Sequence, residues 1–270
     1  MSIKRALTIA GSDIKGGAGL EADLKTFQER DVFGMTAITT IVVSRADLSH
    51  NVYTQPLSLI EEQIEGIVEV MGVDAMKTGM LYAEEIIELV ARKIKQHSLP
   101  NVVIDPVMVC KGSDTLIAGG MVSAMRELLI PTATVVTPNL QEAATLTNKE
   151  RIATLDEMKE AARQIHSFGP KYVLVKGGKL DNSDVAVDVL YDGKDFELLE
   201  TERIETPNTH GAGCTYSAAI TAELAKGNSV PDAVKTAKAF ITAAIRHSFS
   251  LGIGFGPTNH AAYRKYGQAK

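Results

Sequence analysis

Six short apolar runs rich in β-branched residues constrain this fold more than any other feature of the chain. They are "ALTIAG" (6–11), "AITTIVV" (37–43), "VDAMKTG" (73–79), "NVVIDPV" (101–107), "ATVVTPN" (133–139) and "YVLVKGG" (172–178). Their apolarity is continuous rather than alternating, as in strands buried on both faces. Helical periodicity fills the gaps at 19–30, 57–71, 83–97 and 154–168. Strand then helix, repeated, predicts βαβ units and a mostly parallel central sheet with helices on both faces. Residues 185–204 break the rhythm and read as a hairpin closing at "YDGKD" (191–195), hence an antiparallel edge. Two more helices, "TYSAAITAELAKG" and "VPDAVKTAKAFITAAIRHS", follow a glycine turn. No linker, repeat or low-complexity tract interrupts residues 1–270, which predicts one α/β domain.

Composition removes several functions. The formal net charge of −5 offers no basic face for DNA or RNA. Two cysteines, Cys110 and Cys214, are too few for a disulfide scaffold and suit a cytosolic enzyme. The opening "MSIKRALTIAGSD" has an apolar run too short for a signal peptide or a membrane span. The expectation is a soluble, cytoplasmic protein whose partner is a small molecule.

Ligands of open parallel sheets bind outside the carboxyl ends of the strands. "AGSD", "MKTG", "DPVMVCKG", "TPNLQEA" and "VKGG" all fall there. "THGAGCT" adds Gly211, Ala212 and Gly213 directly before a helix. It is neither a Rossmann fingerprint nor a Walker A loop. Free N–H groups and the positive end of the helix dipole would suit a phosphate there, although a bare loop-to-helix turn reads the same way. Cys214, at the helix start, is expected to have a lowered pKa, within roughly 3.5–7.5, and to serve as a base toward a hydroxyl. A small buried hydrophobe is the alternative.

Together these stretches resemble the ribokinase-like superfamily and, within it, the vitamin-B6 and hydroxymethylpyrimidine kinases. The match runs from "LTIAGSDIKGGAGLEADLKTFQERDVFGMTAITTIV" to "FGPTNHAAYR", with the motifs in the family's order. The resemblance implies a three-layer ribokinase-like fold and phosphorylation of a hydroxymethyl group with ATP and Mg²⁺. It implies that Cys214 takes the place of the superfamily's usual aspartate base, with Gly211 and Gly213 as the anion hole. Asn139 and Glu142 match the family's N-x-x-E motif for magnesium and phosphates. Lys176 matches a lysine that reaches the nucleotide phosphates, and Asp105 lies near the metal. Gly11 and Asp23 match the ring pocket, with Met80 and Val107 against the ring faces. A homodimer is also implied.

Two departures bear on the ring. Ser44 stands where the pyrimidine kinases usually carry Glu or Gln, and Cys110 stands in the loop after "DPVM" as in bacterial pyridoxal kinases. A thiolate adds to an aldehyde, so Cys110 is expected to hold pyridoxal as a hemithioacetal on a loop that doubles as a lid. His50 resembles a histidine of the same branch that assists proton transfer. Three functions compete: a pyridoxal kinase, a hydroxymethylpyrimidine/phosphomethylpyrimidine kinase of thiamin biosynthesis, and a silent binding protein on a kinase scaffold.

Overall fold

The structure, a computed structural model, describes residues 3–45, 47, 49–108, 119–178, 180, 184–252 and 254–267. Cys110 and its loop therefore lie outside the described residues. The chain opens β1 (Lys4–Asp13), α1 (Gly19–Glu29), β2 (Val32–Ser44), β3 (His50–Thr54), α2 (Leu57–Val70), β4 (Ala75–Thr78), α3 (Glu84–Gln96) and β5 (Val102–Ile104). It continues with α4 (Gly119–Ala124), β6 (Val135–Val136), α5 (Leu140–Leu146), α6 (Leu155–His166), β7 (Tyr172–Gly177), β8 (Val185–Tyr191) and β9 (Phe196–Glu202). It ends with α7 (Ala212–Ala225), α8 (Val230–Arg246) and α9 (Ala262–Tyr266).

One sheet takes the order β3-β2-β1-β4-β5-β6-β7-β8-β9. Strands β2, β1, β4, β5, β6 and β7 run parallel, as the apolar runs predict. The β8–β9 hairpin is antiparallel, also as expected. The second antiparallel edge, β3 on β2, was not anticipated.

Both faces of the sheet are buried, and alternate residues serve different layers. Leu7 and Ile9 of β1 join Ile60, Ile87 and Met158 in one core, under α2, α3 and α6. Ala6, Val103 and Leu174 join Phe27, Ala219 and Phe240 in the other, under α1, α7 and α8. The chain leaves β1 toward β2 and later returns to β1's other side with β4. That reversal opens a crevice at the carboxyl edge, where open α/β sheets take their ligands.

Candidate active site

A cleft of about 970 Å³ lies along that edge. Every described residue singled out from the sequence lines it: Gly11, Asp23, Ser44, His50, Met80 and Val107. Asp105, Asn139, Glu142, Lys176, Gly211, Gly213 and Cys214 line it too. The strands deliver them because their carboxyl ends stop together.

The glycine turn is built by an unusual backbone. Gly211 caps α7 with φ +77°, the left-handed region that glycine enters without strain. A Cβ there would lie 1.8 Å from the Gly17 carbonyl oxygen, so no side chain fits. The helix starts at Ala212, earlier than the expected "TYSAAI", which places Gly213 and Cys214 in its first turn with their N–H groups unpaired by the helix. A Cβ on Gly213 would meet Lys176 Nζ at 3.4 Å and Asp105 Oδ2 at 3.9 Å. The turn, the lysine and the aspartate thus share one space.

Lys176 Nζ is 2.9 Å from Asp105 Oδ1. Thr137 donates to the same oxygen at 3.1 Å, and Ser217 of α7 donates to Oδ2 at 3.2 Å. Burial opposes ionisation of Asp105, but the Lys176 and Lys77 charges and these bonds outweigh it and hold the carboxyl below its usual range. Asn139 and Glu142 form a reciprocal capping box on α5, with bonds of 2.9 and 2.8 Å. Burial pushes Glu142 up to about 7 despite Lys176, and the nearby Asp105 charge adds to the rise. A carboxyl so placed favours a cation.

Cys214 overturns one expectation. Burial pushes its thiol up to about 12 rather than down. Lys77 pulls it back, as does a hydrogen bond from the Gly19 backbone, while Asp23 and Asp105 push it further up. Desolvation of a thiolate wins over the helix terminus. At neutral pH the residue is a thiol.

Asp23 reaches the cleft wall with its carboxylate already engaged. Thr8 donates to Oδ2 at 2.7 Å, and Lys77 Nζ lies 2.8 Å from Oδ1. Asp23 and Lys77 are both 0% exposed, a buried ion pair. Burial pulls Lys77 down, yet Asp23, Cys214 and Asp105 raise it by more, so it stays charged. Sequence reasoning missed Lys77, though a lysine inside an apolar run read as doubly buried was the available signal.

Also missed were Asp13 and His210, whose Oδ2 and Nε2 lie 2.8 Å apart. Asp13 also accepts N–H groups of Lys15, Gly17 and Ala18. Burial works against its charge, but the His210 bond and these donors hold it at about 2. Asp13 thereby ties the 13–18 loop to the glycine turn. A Cβ on Gly11 would meet Thr40 Oγ1 at 2.4 Å, so packing alone demands glycine there. His50 Nδ1 is buried and has no hydrogen-bond partner among the described residues, the condition of an atom that a ligand satisfies. His50 pairs with Ser44 across β2 and β3.

Known proteins resemble this chain over nearly its whole length. A pyridoxine kinase of Bacillus subtilis (strain 168) is 54% identical over 266 residues, 98% of each chain. A hydroxymethylpyrimidine/phosphomethylpyrimidine kinase of the same strain is 44% identical over 265 residues, 98% of this chain and 97% of the relative. The crystal structure of an ADP complex of Bacillus subtilis pyridoxal kinase superposes with a TM-score of 0.95 at 54% identity, covering 98% of this chain and 100% of that one. The family model for phosphomethylpyrimidine kinase matches residues 13–259. With its mostly parallel sheet, its antiparallel edges and a cleft that gathers the family's motifs, the chain belongs to the phosphomethylpyrimidine kinase family, on the ribokinase-like fold.

Proposed function

We propose that this chain is an ATP-dependent kinase that phosphorylates the 5′-hydroxymethyl group of pyridoxal, and of pyridoxine and pyridoxamine, in vitamin B6 salvage. It acts as one cytoplasmic domain within a homodimer. The observation that carries the reading is one cleft holding a glycine turn at a helix start, a lysine–aspartate pair and a buried carboxyl, with Gly11, Ser44 and His50 on its wall. Higher identity to the pyridoxine kinase than to the pyrimidine kinase supports the B6 acceptor. The relative's ADP complex supports ATP as donor.

Phosphoryl transfer asks a protein mainly for positioning and charge. The N–H groups of α7 and the Lys176 ammonium receive the phosphates. Glu142 and Asp105, two buried acidic side chains on the cleft wall, are the residues that would hold Mg²⁺. Bound there, magnesium would supply charge that neutralises the phosphates. The ring lies between Met80 and Val107, and Ser44 and His50 face its polar edge.

Cys214 takes the hydroxyl proton. It rests as a thiol, and Lys77 and the Gly19 N–H favour the thiolate fraction through which the reaction runs. A thiolate that rarely forms is, once formed, a strong proton acceptor. Cys110 completes the acceptor site: its sulfur bonds to the aldehyde carbon, and the carbonyl oxygen takes the thiol proton.

The family's description and the 44% identical relative support a second acceptor, hydroxymethylpyrimidine. Specificity constants for pyridoxal, hydroxymethylpyrimidine and its monophosphate separate the two. The B6 reading expects pyridoxal to be preferred and Cys110→Ala to harm pyridoxal more than the pyrimidine. Strong turnover of the phosphorylated pyrimidine contradicts it.

A further inference from the structure

Asp188 faces Lys176 in the register of β8 on β7 and is 2% exposed. Its Oδ1 accepts the backbone N–H of Gly177 at 2.9 Å. Its Oδ2 lies 2.7 Å from Lys238 Nζ of α8 and accepts the hydroxyl of Tyr216, on α7, at 3.2 Å. Lys238 also donates to the Ala186 carbonyl at 3.1 Å. A Cβ on Gly177 would meet the Val187 carbonyl at 2.1 Å, so β7 sits tight against β8 here. One carboxylate therefore ties β7, α7 and α8 together, and Asp188, Tyr216 and Lys238 all border the cleft.

The attachments fall beside the phosphate-binding groups. Gly177 follows Lys176, and Tyr216 is two residues beyond Cys214 in the first turns of α7. Stability alone gives weak reason for such a node, because desolvation offsets most of the attraction in a buried ion pair and packed hydrocarbon would serve as well. What directed hydrogen bonds add is a fixed distance between elements. Burial and Asp188 hold the Tyr216 phenol well above its ordinary range, so it remains a donor.

We propose that Asp188, paired with Lys238 and Tyr216, is a positioning residue that sets the Lys176 ammonium and the first turn of α7 at the separation that grips a nucleotide's phosphates. The inference rests on the kinase reading and extends it to groups that act through Lys176 and α7. Gly11, Asp23, Ser44 and His50 wall the acceptor pocket from β1, α1, β2 and β3, and Asp188 bonds to none of these elements.

Calorimetric affinities for the non-hydrolysable ATP analogue AMP-PCP and for pyridoxal, with melting temperatures, test this in the wild type, Tyr216→Phe, Asp188→Asn, and Asp188→Asn with Lys238→Met. Asp188→Asn alone leaves a buried ammonium without its counter-charge and lowers the melting temperature; the double variant removes both charges and recovers it. The expected result is AMP-PCP binding weakened about tenfold in Asp188→Asn and in the double variant, and about threefold in Tyr216→Phe, with pyridoxal affinity within about twofold throughout. Nucleotide affinity that recovers along with the melting temperature overturns the proposal, as does equal weakening of both ligands. A wild type that binds AMP-PCP but phosphorylates no B6 vitamer refutes the acceptor assignment alone, since the node is still read on the nucleotide.

Discussion

Gly211 and Gly213 stand two positions apart, and their substitution should fail in different ways. At Gly211 an alanine would combine a left-handed backbone with a Cβ 1.8 Å from a carbonyl oxygen. Gly211→Ala should lose about 3 kcal/mol or more in a denaturant titration. At Gly213 the new Cβ would reach Lys176 Nζ at ordinary contact distance, 3.4 Å, inside a helix turn. Gly213→Ala should fold as well as the parent or gain about 0.5–1 kcal/mol from helix propensity. Its kcat should nevertheless fall about a hundredfold, because the methyl occupies the space that the anion needs. The glycines and Cys214 were legible in the sequence, but the sulfur's acidity was not. It depends on Asp23 and Asp105 and on burial by segments remote in the chain, so a helix start read alone points the wrong way. Asp23 lines the cleft, and its two oxygens are already engaged by Lys77 and Thr8, a pairing that its place on the first helix does not reveal.

Helix α5 shows how one element serves two ends. Glu142 closes the capping box with Asn139, and the same carboxyl is held near neutrality by burial. Asn139→Ala should cost about 1 kcal/mol of stability as a lost cap. Glu142→Gln keeps an oxygen for the Asn139 N–H and should hold stability within about 0.5 kcal/mol. It should raise the Mg²⁺ concentration for half-maximal rate about tenfold, read from a magnesium titration of turnover. Elements with a long periodic stretch, such as α3 and α8, were legible because their burial follows their period. Strand β3 was not: "HNVYT" is short, polar and half-exposed at the sheet edge, and it owes its conformation to pairing with β2. Strand β6 is only Val135–Val136, yet Thr137 still bonds Ile104 and Asn139 still bridges Lys176 of β7 while it lines the cleft and caps α5.

At the scale of the whole molecule, the sheet and the flanking layers could be read from the alternation of apolar runs and helices. The convergence of far-apart segments could be foreseen only through the rule that ligands gather at carboxyl strand ends. His260 illustrates such convergence: it bonds Thr215 of α7 at 3.1 Å, and burial, with the Lys25 charge, lowers its pKa to about 4 against an ordinary 6.5. Between those values the unfolded chain binds a proton that the folded one refuses, so stability falls as pH drops from 6.5 to 4 and levels below. The loss should approach about 3 kcal/mol in the parent and be absent from His260→Gln, so that the difference between the two in urea titrations changes with pH across that range. In the proposed mechanism the Cys214 sulfur accepts the proton of the acceptor alcohol. The pH dependence of kcat for pyridoxal, measured in the wild type, Cys214→Ala and Cys214→Asp, tests it most directly. The wild-type rate should climb through pH 9, Cys214→Ala should fall by about a hundredfold or more, and Cys214→Asp should keep activity with its rising limb moved to acid pH. A Cys214→Ala enzyme as fast as its parent, or three superimposable profiles, would contradict the claim.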